Sequence, residues 1–228
     1  MSALFRPRRR RSPGSTAEPV LVARRAGYTI DDQILLDPVD LSIVPGECIA
    51  VRGENGAGKT TLLRLLAGHA RPTSGTVLFR GGTVDERRAE VRAHISTVIG
   101  PPDVYPDLTV REQLRLIATS WRMPHPEADA KVDAVLAALE LAHLSARFAH
   151  ELSSGQTQLY HLACAFTRPF DVLILDEPEQ RLDPDRRAVL AGVLRGVRQQ
   201  GAAIVFATHD PRLAQSVADR SLRLEPGL

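Results

Sequence analysis

The sequence predicts an α/β domain on a mainly parallel sheet, with a helical subdomain inserted into it. Three observations point there. Short β-like runs, "VLVAR" (20–24), "ECIAVRG" (47–53), "TVLFR" (76–80), "ISTVI" (95–99), "DVLILD" (171–176) and "AAIVFATH" (202–209), alternate with helical patterns after residues 59 and 184, the alternation of a parallel sheet covered by helices. The run 171–176 is apolar throughout, as a strand buried on both faces should be. From about Thr109 to Phe166 there is no convincing strand, and Val132, Val135, Leu136 and Leu139 share one helical face. With 228 residues, 43% of them hydrophobic, the chain can bury one sizeable core.

Taken in order, the chain opens with "FRPRRRRSPGSTAEP", rich in positive charge, Pro, Gly and Ser and without an apolar h-region, so residues 1–18 are expected to form a disordered basic tail rather than a secretory signal. The tail could be simply solvated, or drawn to anionic headgroups or an acidic partner. The formal net charge of +2 is nearly balanced, and no nucleic-acid partner is expected. No apolar run approaches the roughly 18 residues needed to cross a bilayer; a membrane role has to come through a partner. Cys48 and Cys164 lack CxxC spacing or an adjoining His cluster and are expected to be reduced core residues.

The strand 47–52 runs into "GENGAGKTT" (53–61), and a helix, "TLLRLLAG", closes at Gly68. This satisfies GxxxxGK[ST] in its required strand, loop, helix context. Gly53, Gly56 and Gly58 permit a tight turn that brings N–H groups, with those of Asn55, Ala57 and Thr61, onto phosphate oxygens. Lys59 should reach the β- and γ-phosphates, and Thr60 should hold Mg²⁺ through its hydroxyl. In "DVLILDEP" (171–178) a strand ends in Asp176, which places a carboxylate where it can hold Mg²⁺, with Glu177 next to it to orient or deprotonate a water. Together these residues imply a nucleoside triphosphate with Mg²⁺.

The stretch "ELSSGQTQLYHLACA" (151–165) starts another helix near Ser154: Leu159, Leu162, Ala163 and Phe166 fall at i, i+3, i+4 and i+7. Ser153, Ser154, Gly155 and Gln156 at its start offer hydroxyls and backbone N–H groups beyond what one cap needs, a start suited to an anion.

With these motifs in sequence order, residues 19 to 224 resemble the nucleotide-binding subunits of ATP-binding cassette (ABC) transporters. The resemblance implies a P-loop NTPase core with an antiparallel β portion besides the parallel sheet, and a helical subdomain over about 103–167, within one ATPase domain spanning 19–228. "LSSGQ" (152–156) matches the family's "LSGGQ" signature apart from Ser154. In the family that loop faces the γ-phosphate bound by a second subunit, so two ATP molecules are sandwiched in a head-to-tail homo- or heterodimer. Tyr28 looks like the aromatic that stacks on adenine, "RLDP" (181–184) like the loop that crosses the dimer through Asp183, and "ATHD" (207–210) like the switch whose His209 contacts the γ-phosphate.

Two departures stand out. Gly100 occupies the place of a glutamine that reaches the metal and the attacking water in most members; a subgroup of bacterial antibiotic and lantibiotic exporters, similar around Pro102 and Tyr105, has glutamate there. "EQR" (179–181) replaces residues that are commonly small. The resemblance implies an ATP-hydrolysing motor subunit at the cytoplasmic face of the membrane, driving a separately encoded permease, with export expected. An ABC-type switch that acts on a membrane or soluble partner without moving a solute is the alternative.

Overall fold

The computed structural model describes residues 18–225; the basic stretch expected as a tail lies outside them but for Glu18. Strands β1 (Leu21–Ile30) and β2 (Gln33–Ile43) form an antiparallel hairpin. Asp31 and Asp32, which join them, have φ of 46° and 62°, the pairing that suits the twist of a two-residue hairpin. Strand β3 (Cys48–Arg52) then leads through the glycine-rich loop into helix α1 (Lys59–Ala67). Two further strands, β4 (Ser74–Phe79) and β5 (Gly82–Thr83), complete a four-stranded sheet in the order β2-β1-β4-β5.

Helix α2 (Ala89–His94) precedes β6 (Ile95–Val98). The helical segment follows, with α3 (Val110–Ser120), α4 (His125–Ala138) and α5 (Ser154–Thr167). The chain returns through β7 (Val172–Asp176), α6 (Pro184–Gln199), β8 (Ala203–Ala207), α7 (Pro211–Val217) and β9 (Arg220–Arg223). The five strands β6-β7-β8-β3-β9 stand in that order, and every pairing among them is parallel.

Alternation along each strand divides the interior in two. Cys48 and Ala50 of β3, Leu173 and Leu175 of β7, and Ile204 and Phe206 of β8 join the cluster that holds the inner faces of α3 to α6. Their strand neighbours Ile49, Val51, Val172, Ile174, Val205 and Ala207 join Leu62, Leu63, Leu65 and Leu66 of α1 and the inner face of β1. The sheet is thus covered on both faces, and β3, β7 and β8 read as continuous apolar runs because no face is left for water. Cys48 and Cys164 are both buried and unpaired by any disulfide.

Strand β2 escaped the sequence reading for a physical reason. It lies on the edge of its sheet with most of its side chains in solvent, and it contains Pro38, which is tolerated there because an edge strand can leave one N–H position unpaired.

Candidate functional site

The order β7-β8-β3 brings three C-terminal strand ends side by side, the edge of a parallel sheet where ligands bind. After β3 comes the phosphate loop. Gly58 is the N-cap of α1 with φ 82°, and no side chain caps this helix. An added Cβ at Gly58 would meet Leu35 O at 2.6 Å, so the loop needs glycine here for both its conformation and its close approach to β2. The helix start is left open, with its free N–H groups and positive dipole end available to an anion. Lys59, 6% exposed, donates from Nζ to the carbonyls of Gly53 at 3.0 Å and Glu54 at 2.8 Å. Asn55 and Gly56 stand exposed at the crest of the loop, while Ala57 is buried beneath it.

After β7 comes the acidic pair. Thr60 Oγ1 donates to Asp176 Oδ2 at 2.6 Å, which brings together the two oxygen groups expected to share Mg²⁺; hard oxygen donors of this kind fit that ion. Burial raises the Asp176 pKa, with the Glu177 charge acting the same way, against the Thr60 hydrogen bond and the Lys59 and Arg64 charges. A bound cation would favour the charged form. Glu177 Oε1 lies 2.9 Å from His209 Nε2, on the segment that follows β8, and Glu177 Oε2 accepts from Gln180 Nε2 at 2.9 Å. Glu177 itself has φ 46°, a left-handed conformation that costs a non-glycine residue about 1–2 kcal/mol.

The residues between these groups were not singled out individually in the sequence. Glu179 is buried, 6% exposed; its Oε1 accepts from the Thr208 hydroxyl and from the His209 N–H at 3.3 Å. Only its place in the unusual "EQR" marked it. Tyr28, half-buried, pairs in register with Leu36, whose side chain contacts the space beside Gly58; β1 therefore sits next to the phosphate loop.

The residues expected to form the signature open α5. Ser153 is the N-cap of α5, its side chain accepting from Gln156 N at 3.4 Å, while Gln156 Oε1 accepts from Ser153 N at 2.8 Å. Two of the polar groups that the sequence offers to an outside ligand are therefore engaged by the helix itself in a capping box. Ser154 is exposed and Gly155 buried. Asp183 caps α6, accepting from Arg186 N at 2.9 Å, with Pro184 at the first helical position. Among the described residues none of the hydrogen bonds of Ser153, Gln156 or Asp183 reaches the phosphate loop.

Gly100, in the segment after β6, has φ 83°, and an added Cβ would meet nothing within 4 Å. Glycine here serves a left-handed turn.

Comparison with known proteins gives this geometry a context. A family model described as ABC transporter matches residues 36–180. The Nod factor export ATP-binding protein I of Burkholderia thailandensis is 34% identical over 197 residues, which cover 86% of this chain and 65% of that protein, so the chain matches somewhat less than two thirds of that relative's length. The cobalt import ATP-binding protein CbiO of Rhodobacter capsulatus is 36% identical over 207 residues, covering 89% and 74%. Among solved structures, cbiO1 of Clostridium perfringens, described as part of the ABC transporter complex cbiONQ, superposes with a TM-score of 0.79 at 28% identity, covering 92% of this chain and 86% of that one. The two sequence relatives are named for opposite directions of transport, so likeness at this level follows the nucleotide machinery and not the cargo.

Proposed function

We propose a function from the premise that the chain belongs to the ABC transporter family, as an ATP-binding subunit: it closes head to tail on ATP with a second such subunit, hydrolyses the nucleotide, and drives a separately encoded membrane permease. The observation that carries the reading is the meeting of Thr60 with Asp176 and of Glu177 with His209 at one sheet edge, beside the uncapped start of α1.

The chemistry follows from these residues. The phosphates lie on the N–H groups of Gly56 to Thr61, and Lys59 exchanges its two carbonyl partners for phosphate oxygens. Mg²⁺, held by Thr60 and Asp176, supplies charge neutralisation on the phosphates when bound. Glu177 accepts the proton of the water that attacks the γ-phosphorus, and His209, holding Glu177 from the other side, contacts the departing phosphate. Tyr28 takes the adenine face. Ser153 to Gln156 and Asp183, of which Ser153, Ser154 and Asp183 are exposed, meet the partner subunit's nucleotide and loop.

No helix of the described residues is long and apolar enough to cross a membrane, and attachment to the cytoplasmic face of the membrane comes through the permease. Export is the direction we favour, on the similarity around Pro102 and Tyr105 to exporter cassettes, from which Gly100 departs.

The test is Glu177→Gln. ATP affinity should be retained and an ATP-bound dimer should accumulate in gel filtration, while turnover falls roughly 10² to 10⁴-fold, the range for a positioned general base. Full turnover in the variant would remove Glu177 from this role.

A further inference from the structure

We infer that Gln180 is a positioning residue for hydrolysis, the second of two donors that fix the plane of the Glu177 carboxylate; the inference rests on Glu177 being the general base. A carboxylate's terminal torsion is broad and roughly two-fold, so one hydrogen bond leaves it free to rock. Here each oxygen has its own partner: Oε1 lies 2.9 Å from His209 Nε2, and Oε2 accepts from Gln180 Nε2 at 2.9 Å.

The backbone prepares this arrangement. Glu177 N donates to Ala207 O at 3.0 Å, which ties the end of β7 to the end of β8, and the left-handed φ of Glu177 turns the chain so that Gln180 N donates back to Glu177 O at 3.0 Å. The intervening Glu179 is buried and fastened to Thr208 and to the His209 N–H. The segment that carries Gln180 and the segment that carries His209 are thereby joined, and the two donors move as one body around Glu177. Gln180 thus supplies a carboxamide to the base from the loop after β7. Orientation of a base is worth rate rather than affinity.

Gln180 is exposed, so replacing it leaves the core untouched. In the full chain, Gln180→Met keeps the length and removes the donor, and Gln180→Ala removes both. Each should lower kcat for ATP about tenfold, the value of one hydrogen bond to a charged group, with KM and melting temperature unchanged. Added to Glu177→Gln, the methionine should cost nothing further, because the group it orients is gone. Wild-type kcat in Gln180→Met and Gln180→Ala, or the same tenfold loss in the Glu177→Gln background, would overturn the inference. Full activity of Glu177→Gln alone would instead overturn the reading of Glu177 as base, and with it the role of Gln180.

Discussion

Glu179 carries a carboxylate into the protein interior, and desolvation raises its pKa against the hydrogen bonds from Thr208, His209 and Asp210. Its Oε2 is buried without a hydrogen-bond partner among the described residues. The sign of the linkage is then fixed. A folded-state pKa above the unfolded one means that the folded protein holds the proton more tightly, so this group's contribution is most favourable at low pH and is lost as pH rises through the raised value. Glu179→Gln carries no such penalty. The melting temperature of the variant relative to wild type should therefore climb between about pH 4, near the ordinary glutamate value, and pH 8; a difference that is flat or falls over that range would contradict the burial of an ionising group. A second residue-scale expectation concerns Gly100. Its φ of 83° makes Gly100→Gln costly by about 1–2 kcal/mol, with open space around the added Cβ, and urea denaturation should show that loss with no gain in kcat. At this scale the spacing in the sequence marked Lys59, Thr60, Asp176 and Glu177, because phosphate and metal chemistry dictates the residue types, whereas His209 was marked by the family resemblance. Glu179 and Gln180 were legible only as an oddity, since nothing in a linear string tells that a glutamate is buried or which carboxylate a glutamine will reach.

Helix starts divide into two kinds. α5 and α6 are closed by their own side chains, Ser153 and Asp183, whereas α1 is capped by a glycine without any side-chain bond. The closed starts should contribute to stability. Asp183→Ala should cost about 1 kcal/mol, and Ser153→Ala less, because the Asp183 cap bond is 2.9 Å and the Ser153 one 3.4 Å. Chemical denaturation of the two variants in the same buffer checks the order, and an equal or larger loss at Ser153 would contradict it. The start of α5 at Ser154 and the closure of α1 at Gly68 were both readable, since caps and breakers are local chemistry. β2 and α2 were not. The first is an exposed edge strand with a proline, and the second, Ala89–His94, buries only Val91, too little apolar surface to leave a periodic trace.

For the whole molecule, the sequence showed that strands alternate with helices, but their order, β6-β7-β8-β3-β9, is written in no periodicity. Strands covered on both faces look alike in sequence, so only the motifs at their ends tell them apart. Burial has a kinetic corollary in the two thiols. Burial pushes Cys48 and Cys164 up to about 12, so neither presents a thiolate to an alkylating reagent at pH 8 while its element is closed. One sits at the base of the strand that feeds the phosphate loop and the other on the helix that begins with the signature. Both thiols lie in the one apolar cluster between the sheet and α3 to α6, so iodoacetamide clocks the opening of that layer from its strand side and from its helix side. ATP should slow alkylation of Cys48 more than that of Cys164, read peptide by peptide in a mass spectrometer; equal slowing of both would mean that the strand and the signature helix open as one unit.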